Sequence, residues 1–293
     1  MVRMLGILLL TMGLATASYA SDIAHSLQNV SVTIRSGSAR PSTGSGTLVT
    51  REVRVSPDAT ETQKITFIWT AGHVVDNTRS VRTVIDPSTG TERKLVEFAD
   101  VQLVKELIED GRKVGETVMD ARVIKYSDSE NGEDLALLMV RKRDFVDISA
   151  EFYLEDEIIP VGTTLFHVGS LRGQVGANSI TSGIIAQVGR VLPIGARQNV
   201  VFDQTTATAF PGSSGGGVFL AGLHSNEREK GWGGQYIGML VRGGGETFNF
   251  IVPIRRMRVW AKRVGVEWAL DSSMEPPALT ELMEMKPEDL DGH

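Results

Sequence analysis

Through the middle of the chain, short runs of Val, Ile, Leu, Thr and Phe alternate with clusters of Gly, Ser, Asn, Asp and Pro. The runs are Val30–Ile34, Gly46–Thr50, Lys64–Trp69, Val101–Val104, Ala121–Tyr126, Leu135–Val140, Thr163–Val168, Ser179–Val188, Val200–Gln204, Gly217–Leu220, Tyr236–Val241 and Phe248–Val252. β-Branched and aromatic residues suit a pleated, half-buried surface, so each run reads as a strand. Turn signals fall between them at Pro87–Gly90, Asp110-Gly111 and Asn131-Gly132, where Gly and Asn supply the backbone angles that reverse a chain. About a dozen strands with no regular alternation of long helical patterns predict an all-β fold, either a sandwich or a pair of barrels.

One segment has a different period. Ile254, Met257, Trp260, Ala261 and Val264 recur at spacings of three and four, behind Pro253 and ahead of Gly265. That pattern predicts an amphipathic helix. Its arginines and lysines fall on the opposite face, which is expected to be solvated rather than to bind phosphate.

The two ends differ from this body. Residues 1–20 carry one early positive charge, Arg3, an apolar run from Leu5 to Leu14, and then small residues up to Ala20. This is the pattern of a secretory signal peptide cleaved near Ala20, the apolar run being shorter than the roughly 18–20 residues that span a bilayer. Residues 271–293 hold seven acidic residues against the single basic Lys286, interrupted by Pro276, Pro277 and Pro287. A solvated, flexible end is expected there, with an interaction segment through Leu279, Leu282 and Met285 as the alternative. The expected division is thus a leader over 1–20, a folded body over 21–270 and an acidic tail over 271–293.

Composition narrows the chemistry. The 293 residues are 41% hydrophobic and 23% charged, with a net charge of −6 and no cysteine. A chain of this length can bury a core without covalent staples. Without cysteine there are no disulfides, thiolate metal sites or cysteine nucleophiles. Setting both ends aside leaves 29 acidic and 28 basic residues, so the acidity belongs to the tail. No basic excess is present to drive binding to nucleic acid.

Three segments far apart in sequence carry candidate chemistry. His73 follows a strand that ends in apolar residues, Asp134 opens the apolar strand Leu135–Val140, and Ser213 and Ser214 sit in the glycine-rich turn Phe210–Gly217. Attack on an acyl carbon needs a hydroxyl, a base with pKa near neutral to take its proton, and an acceptor that fixes the tautomer of the base. Ser, His and Asp are the residue types for those roles. A glycine-rich turn can aim backbone N–H groups at a developing oxyanion, because no side chain obstructs them.

These segments, in the order His, Asp, Ser, resemble the motifs of the trypsin-like (chymotrypsin-fold) serine proteases, and most closely the cysteine-free bacterial HtrA/Deg-like branch. The resemblance runs from about Gly44 to Gly265 and includes Gly44–Val49, Val161–Gly169, Ser179–Gly189, Gln204–Gly216, Tyr236–Leu240 and Phe250–Pro253. It implies two packed six-stranded antiparallel β-barrels with a C-terminal helix. It also implies a serine endopeptidase acting on protein or peptide substrates, with no cofactor and no metal. Ser214 would be the nucleophile, having Gly212 two residues before it and Gly215-Gly216 after it. His73 would be the base and Asp134 its partner, although Asp128 and Glu133 lie close by. Gly212, Ser213 and Ser214 would form the oxyanion hole.

The specificity pocket, by the same resemblance, would have Thr208 at its base and Val241, Arg242, Gly243 and Asn249 in its walls. With an uncharged base it should receive small to medium apolar residues, while Arg242 at the rim could favour acidic residues nearby. Ser213 stands where many animal digestive relatives have an aspartate that pairs with a new amino terminus, so activity is expected on folding without further cleavage. The chain departs from the family in a charged insertion around Asp86–Glu97, an extended loop His224–Gly233, and too few residues after Gly265 for a PDZ module. The signal pattern places the product in a periplasm or outside the cell, with no membrane span once the leader is removed.

Two other classes compete. Gly212-Ser-Ser-Gly-Gly216 also fits the Gly-x-Ser-x-Gly elbow of α/β-hydrolases, but only His224 and His293 follow it and strand–helix alternation is missing. A protease fold without catalysis would be a binding module, and the presence of all three residue types argues against it. The five scattered histidines include no His-Glu-x-x-His helix for a metal hydrolase.

Overall fold

The chain enters through helix α1 (residues 22–29) and continues into β1 (Ser31–Ser36), β2 (Ser42–Arg54), β3 (Thr62–Thr70) and the one-turn helix α2 (Gly72–Val75). Then follow the hairpin β4 (Arg79–Ile85) and β5 (Glu92–Phe98), and the strands β6 (Val101–Glu109), β7 (Arg112–Ser127) and β8 (Leu135–Val140). The computed structural model describes residues 22–37, 41–85, 87–109, 111–195, 197–243 and 246–287. The leader expected over residues 1–20 lies outside them.

Six of these strands close a barrel in the order β1-β2-β3-β8-β7-β6. Strand β8 pairs with both β3 and β7 and is buried along its whole length, which explains why Leu135–Val140 is apolar without alternation. Ile34, Leu48, Phe67, Leu103, Ile124 and Leu138 are fully buried in this half.

The second half contains β9 (Glu151–Phe152), β10 (Thr164–Leu171), β11 (Gly176–Ile194), β12 (Arg197–Thr205), β13 (Gly217–Leu220), the short helix α3 (Ser225–Glu229), β14 (Gln235–Gly243) and β15 (Asn249–Pro253). They form a seven-stranded sheet in the order β13-β10-β11-β12-β15-β14-β9. A further pairing of β13 with β14 returns the sheet on itself, so six strands make a closed ring of pairings. The seventh, β9, lies parallel to β14 and departs from the expected purely antiparallel six. Two residues are too few to register as a hydrophobic run.

Helix α4 (Ile254–Val264) starts behind Pro253 and ends at Gly265, whose φ of 72° is the left-handed cap that glycine adopts without penalty. It carries the chain back to the first barrel, where Trp260 meets Trp69 at 5.8 Å between ring centroids and Trp268 meets Phe67 at 4.7 Å. The indole N–H of Trp69 donates to the Ala269 carbonyl at 3.2 Å. The basic face of α4, expected to be solvated, is partly engaged: Arg255 pairs with Asp203 and Arg256 with Glu133.

The solvated, flexible end expected from residue 271 is corrected for its described part. Helix α5 (Leu279–Glu284) buries Ala278, Leu279 and Leu282. Arg122 of β7 donates to the carbonyls of Met283 and Met285, and the Tyr126 N–H donates to the Pro287 carbonyl. The charged insertion is the β4–β5 hairpin, paired from Arg79↔Phe98 to Ile85↔Glu92. Among the described residues no helix is long and apolar enough to cross a membrane.

Candidate active site

His73 lies in α2, immediately after β3, with the buried Val74 and Val75 fixing the turn beneath it. Asp134 ends the β7–β8 loop in the left-handed region, at φ 58°. Three acidic residues of that loop have separate partners. Asp128 Oδ1 accepts from the N–H groups of Glu130 (2.8 Å) and Asn131 (2.6 Å), which winds the loop. Glu133 turns to Arg256, whose Nε donates to Oε2 at 2.9 Å. Asp134 alone reaches the imidazole: His73 Nδ1 lies 3.0 Å from Oδ1 and 3.1 Å from Oδ2, and the His73 N–H also donates to Oδ1.

Asp134 is buried, whereas the His73 side chain is 35% exposed. A carboxylate only accepts, so Nδ1 is the donor in this pair.

The Phe210–Gly217 turn is locked from both halves of the molecule. Ser45 of β2 donates its N–H to the Ser214 carbonyl at 2.8 Å, and its hydroxyl donates to the Gly212 carbonyl at 2.7 Å while accepting from the Ser170 N–H. The Arg172 N–H binds the Pro211 carbonyl at 2.8 Å, so across that planar peptide the Gly212 N–H points the other way. Gly212 has φ 98°, and a Cβ there would collide with the Ser170 carbonyl, so the position requires glycine.

The expected oxyanion donors divide. The Ser213 N–H is spent on the Phe210 carbonyl at 2.9 Å, and its buried hydroxyl accepts from the Phe210 N–H. Ser213 therefore closes the turn and is not a free donor, which corrects its assignment to the hole. The N–H groups of Gly212 and Ser214 have no backbone partner among the described residues.

A cleft of about 400 Å³ opens beside this turn, lined by Ala209, Phe210, Pro211, Ser214, Leu240, Val241, Arg242, Gly243, Glu246 and Asn249. Val241, Arg242, Gly243 and Asn249, expected in the walls of a specificity pocket, are among the residues that line this cleft. Thr208 is not in the lining; its carbonyl is held by the Thr181 hydroxyl at 2.8 Å, and Ala209 and Phe210 take its place. Arg242 Nη2 donates to the Ser129 carbonyl and ties this wall to the Asp134 loop. Ser214 lines the cleft, and among the described residues its hydroxyl makes no hydrogen bond to the His73 ring.

Residues 44–222 match the sequence family described as the trypsin-like peptidase domain, a span that holds His73, Asp134 and Ser214. The chain belongs to that family. No curated protein sequence matches it. Among solved structures, this trypsin-like chain is similar to Deg5 (17% identity, TM-score 0.55, covering 86% of this chain and 96% of that one). It is also similar to the HtrA-type protease AlgW determined with a tripeptide (19% identity, TM-score 0.54, covering 86% of this chain). A third match is the serine endoprotease from Yersinia pestis (17% identity, TM-score 0.52, covering 86% of this chain and 67% of that one). The chain spans 64% of the AlgW chain, just under two thirds. At these identities the likeness is one of fold, and the fold is that of HtrA-type and Deg proteases.

The α/β-hydrolase alternative falls with the topology, since Ser214 sits between strands of a β-barrel and His224 is the N-cap of α3. Four residues near the site escaped the sequence reading: Ser45, His167, Glu246 and Arg256. Ser45 lies between two glycines of a hairpin motif, and that placement was its only signal. His167 is fully buried in β10, its Nδ1 3.2 Å from the Gly217 carbonyl, and its ring meets Gly216 of the serine turn. A histidine in an apolar strand gives no sign of what it packs against.

Proposed function

We propose that this chain is a serine endopeptidase that hydrolyses peptide bonds through an acyl-enzyme. His73 Nε2 takes the proton of Ser214 as Oγ attacks the substrate carbonyl carbon. The displaced electron pair becomes an oxyanion facing the N–H groups of Gly212 and Ser214. Asp134 holds the imidazole in the Nδ1–H tautomer and stabilises the imidazolium that forms. Collapse of the tetrahedral species expels the amine, which receives the proton from His73. A water, deprotonated by the same imidazole, then releases the acyl group from Ser214. No cofactor or metal enters these steps.

The observation that carries this reading is the buried Asp134 carboxylate paired with a half-exposed His73 at 3.0 Å, in a chain whose Ser214 turn lines an open cleft. Residues 1–20, read as a cleaved leader, put the enzyme in a periplasm or outside the cell. N-terminal sequencing of the mature protein near Ser21 checks that placement.

The catalytic reading is tested with a fluorophosphonate probe. Wild-type protein should be labelled and Ser214→Ala should not, and the unlabelled wild-type enzyme should cleave casein rather than simple esters alone. Asp134→Asn should leave the fold intact while lowering kcat by about 10⁴-fold, the effect of losing the correct tautomer. A wild-type protein that takes no label is not a serine hydrolase, and the fold would then be that of a binding module.

A further inference from the structure

Arg242 of β14 lines the cleft together with Ser214 and is only partly buried. Its guanidinium reaches the β7–β8 loop, where Nη2 donates to the Ser129 carbonyl at 2.9 Å. Nε is sealed from solvent without a partner, whereas Nη1 lacks a partner among the described residues and is not sealed. The acidic groups of the neighbouring loop are engaged elsewhere. Asp134 holds His73, Glu133 holds Arg256, and Asp128 Oδ1 accepts from the Glu130 and Asn131 N–H groups. Among the described residues no ion pair joins Arg242 to a carboxylate, and that includes the exposed Glu246 of the same cleft. A second cation adjoins the serine turn. Arg172 is exposed, lies over the Phe210 ring at 5.0 Å, and binds the Pro211 carbonyl through its N–H. Phe210 and Pro211 both line the cleft, and Arg172 likewise has no carboxylate partner among the described residues. Two guanidinium groups without counter-ions thus stand at the site of a body whose 29 acidic and 28 basic residues otherwise balance.

We infer that the enzyme selects acidic segments, a Glu or Asp side chain one or two residues before the scissile bond pairing with the Arg242 guanidinium. This rests on the serine-peptidase reading and names its substrate class. Of the two expectations drawn from the sequence, apolar residues for an uncharged pocket base and acidic residues for Arg242, it selects the second. The two are compatible in space, because Ala209, Leu240 and Val241 offer apolar contact to the methylene stem of such a side chain. A mostly apolar cleft with one placed charge is a common way to fix a ligand's orientation. The bond to Ser129 holds the guanidinium before substrate arrives, so little side-chain freedom is lost on pairing. Replacing the substrate carboxylate by its amide forfeits a charge-assisted hydrogen bond, and a basic side chain meets like charge. Arg172 adds attraction for further carboxylates along the same peptide.

The test uses the mature protein and peptides that differ only by Glu/Gln or Asp/Asn at the first or the second residue before the scissile bond. A proteome-derived peptide library, with cleavage sites read by mass spectrometry, accompanies them. At one or both positions the acidic member should show kcat/KM about ten-fold or more above its amide. The ratio should shrink as salt is raised, because a partly exposed ion pair is screened, and library sites should be enriched in Glu and Asp. Arg242→Gln should bring the ratio close to one, Arg242→Lys should keep part of it, and Arg242→Glu should turn the preference toward Lys over Gln. Comparing substrates within one variant cancels any general loss from releasing Ser129, and thermal melts check folding. Should the Arg242 variants not fold, the wild-type ratios, their salt dependence and the library still decide. A wild-type enzyme that takes the fluorophosphonate label yet treats Glu and Gln alike at both positions overturns the inference and leaves the peptidase standing. A ratio that survives in Arg242→Gln overturns the role of Arg242. A preference for Lys or Arg overturns it equally and assigns selectivity to Glu246. Absence of both label and cleavage overturns the peptidase reading itself.

Discussion

Asp134 occupies a backbone conformation that costs a non-glycine residue of order 1 kcal/mol, although Asp is among the residues that tolerate it best. Its neighbour shows how the conformation is held. Arg256, from α4, donates Nε to Glu133 Oε2 (2.9 Å), Nη2 to the Glu133 carbonyl (2.8 Å) and Nη1 to the Val201 carbonyl (2.9 Å). The clamp grips both the side chain and the main chain of the residue before Asp134, so Arg256 acts as a positioning residue. Replacing it with Met keeps much of the volume and withdraws all three donors. Arg256→Met should lower kcat by roughly 10- to 100-fold with little change in KM, since a small displacement of the carboxylate is enough to misplace the imidazole. It should also cost about 2–3 kcal/mol of stability, below the value for a fully buried pair because both groups keep some exposure. Michaelis kinetics and urea unfolding check the two parts; unchanged kcat would show that the loop holds Asp134 unaided. Helical periodicity identified Arg256 as lying off the apolar stripe of α4. It could not reveal that the Asp134 loop covers that face.

At the level of elements, the strands were legible because their runs are apolar, and the elements that escaped have other compositions. The β4–β5 hairpin is rich in charge and Thr, and among the described residues its strands pair only with each other. Residues 279–287 were masked by their acidity, although their apolar positions were the visible alternative. Leu282 is fully buried and Leu279 nearly so, while Glu281 turns back to accept from the Ala278 N–H at 2.8 Å. The charges are thus compatible with docking: one caps the helix and the rest face outward. Leu282→Ala should destabilise the folded state by about 2–4 kcal/mol, the usual range for a buried leucine. Urea unfolding measures this directly. A loss below about 0.5 kcal/mol would place α5 among surface elements that the barrel does not need.

Across the whole molecule, a chain without cysteine joins its two halves by packing and hydrogen bonds. Ser45 couples β2 to the serine turn, and Trp69, Trp260 and Trp268 fasten the C-terminal segment to the first barrel. His167 sits at the end of this arrangement, beneath the serine turn and fully buried. Burial pushes its pKa down from 6.5 to about 4, against a smaller opposing effect of the Gly217 carbonyl. The neutral ring donates Nδ1–H to that carbonyl, which leaves Nε2 without a partner among the described residues.

The consequence for stability has a definite sign. Between pH 6.5 and about 4 the unfolded chain binds a proton at this histidine and the folded one does not, so acid favours unfolding. The contribution of His167 is complete above pH 6.5 and falls away toward pH 4, by about 3 kcal/mol in total. His167→Gln removes the titration while keeping a polar side chain of similar reach. Urea unfolding of both proteins from pH 7 to pH 4 should give a wild-type curve that drops more steeply, with the gap between the two closing or reversing as pH falls. Because carboxylates elsewhere titrate alike in both proteins, the difference isolates the buried ring. A difference that stays constant over this range would mean that His167 takes up its proton in the folded state as readily as in the unfolded chain. The serine turn would then have to accommodate a charge beside Gly216.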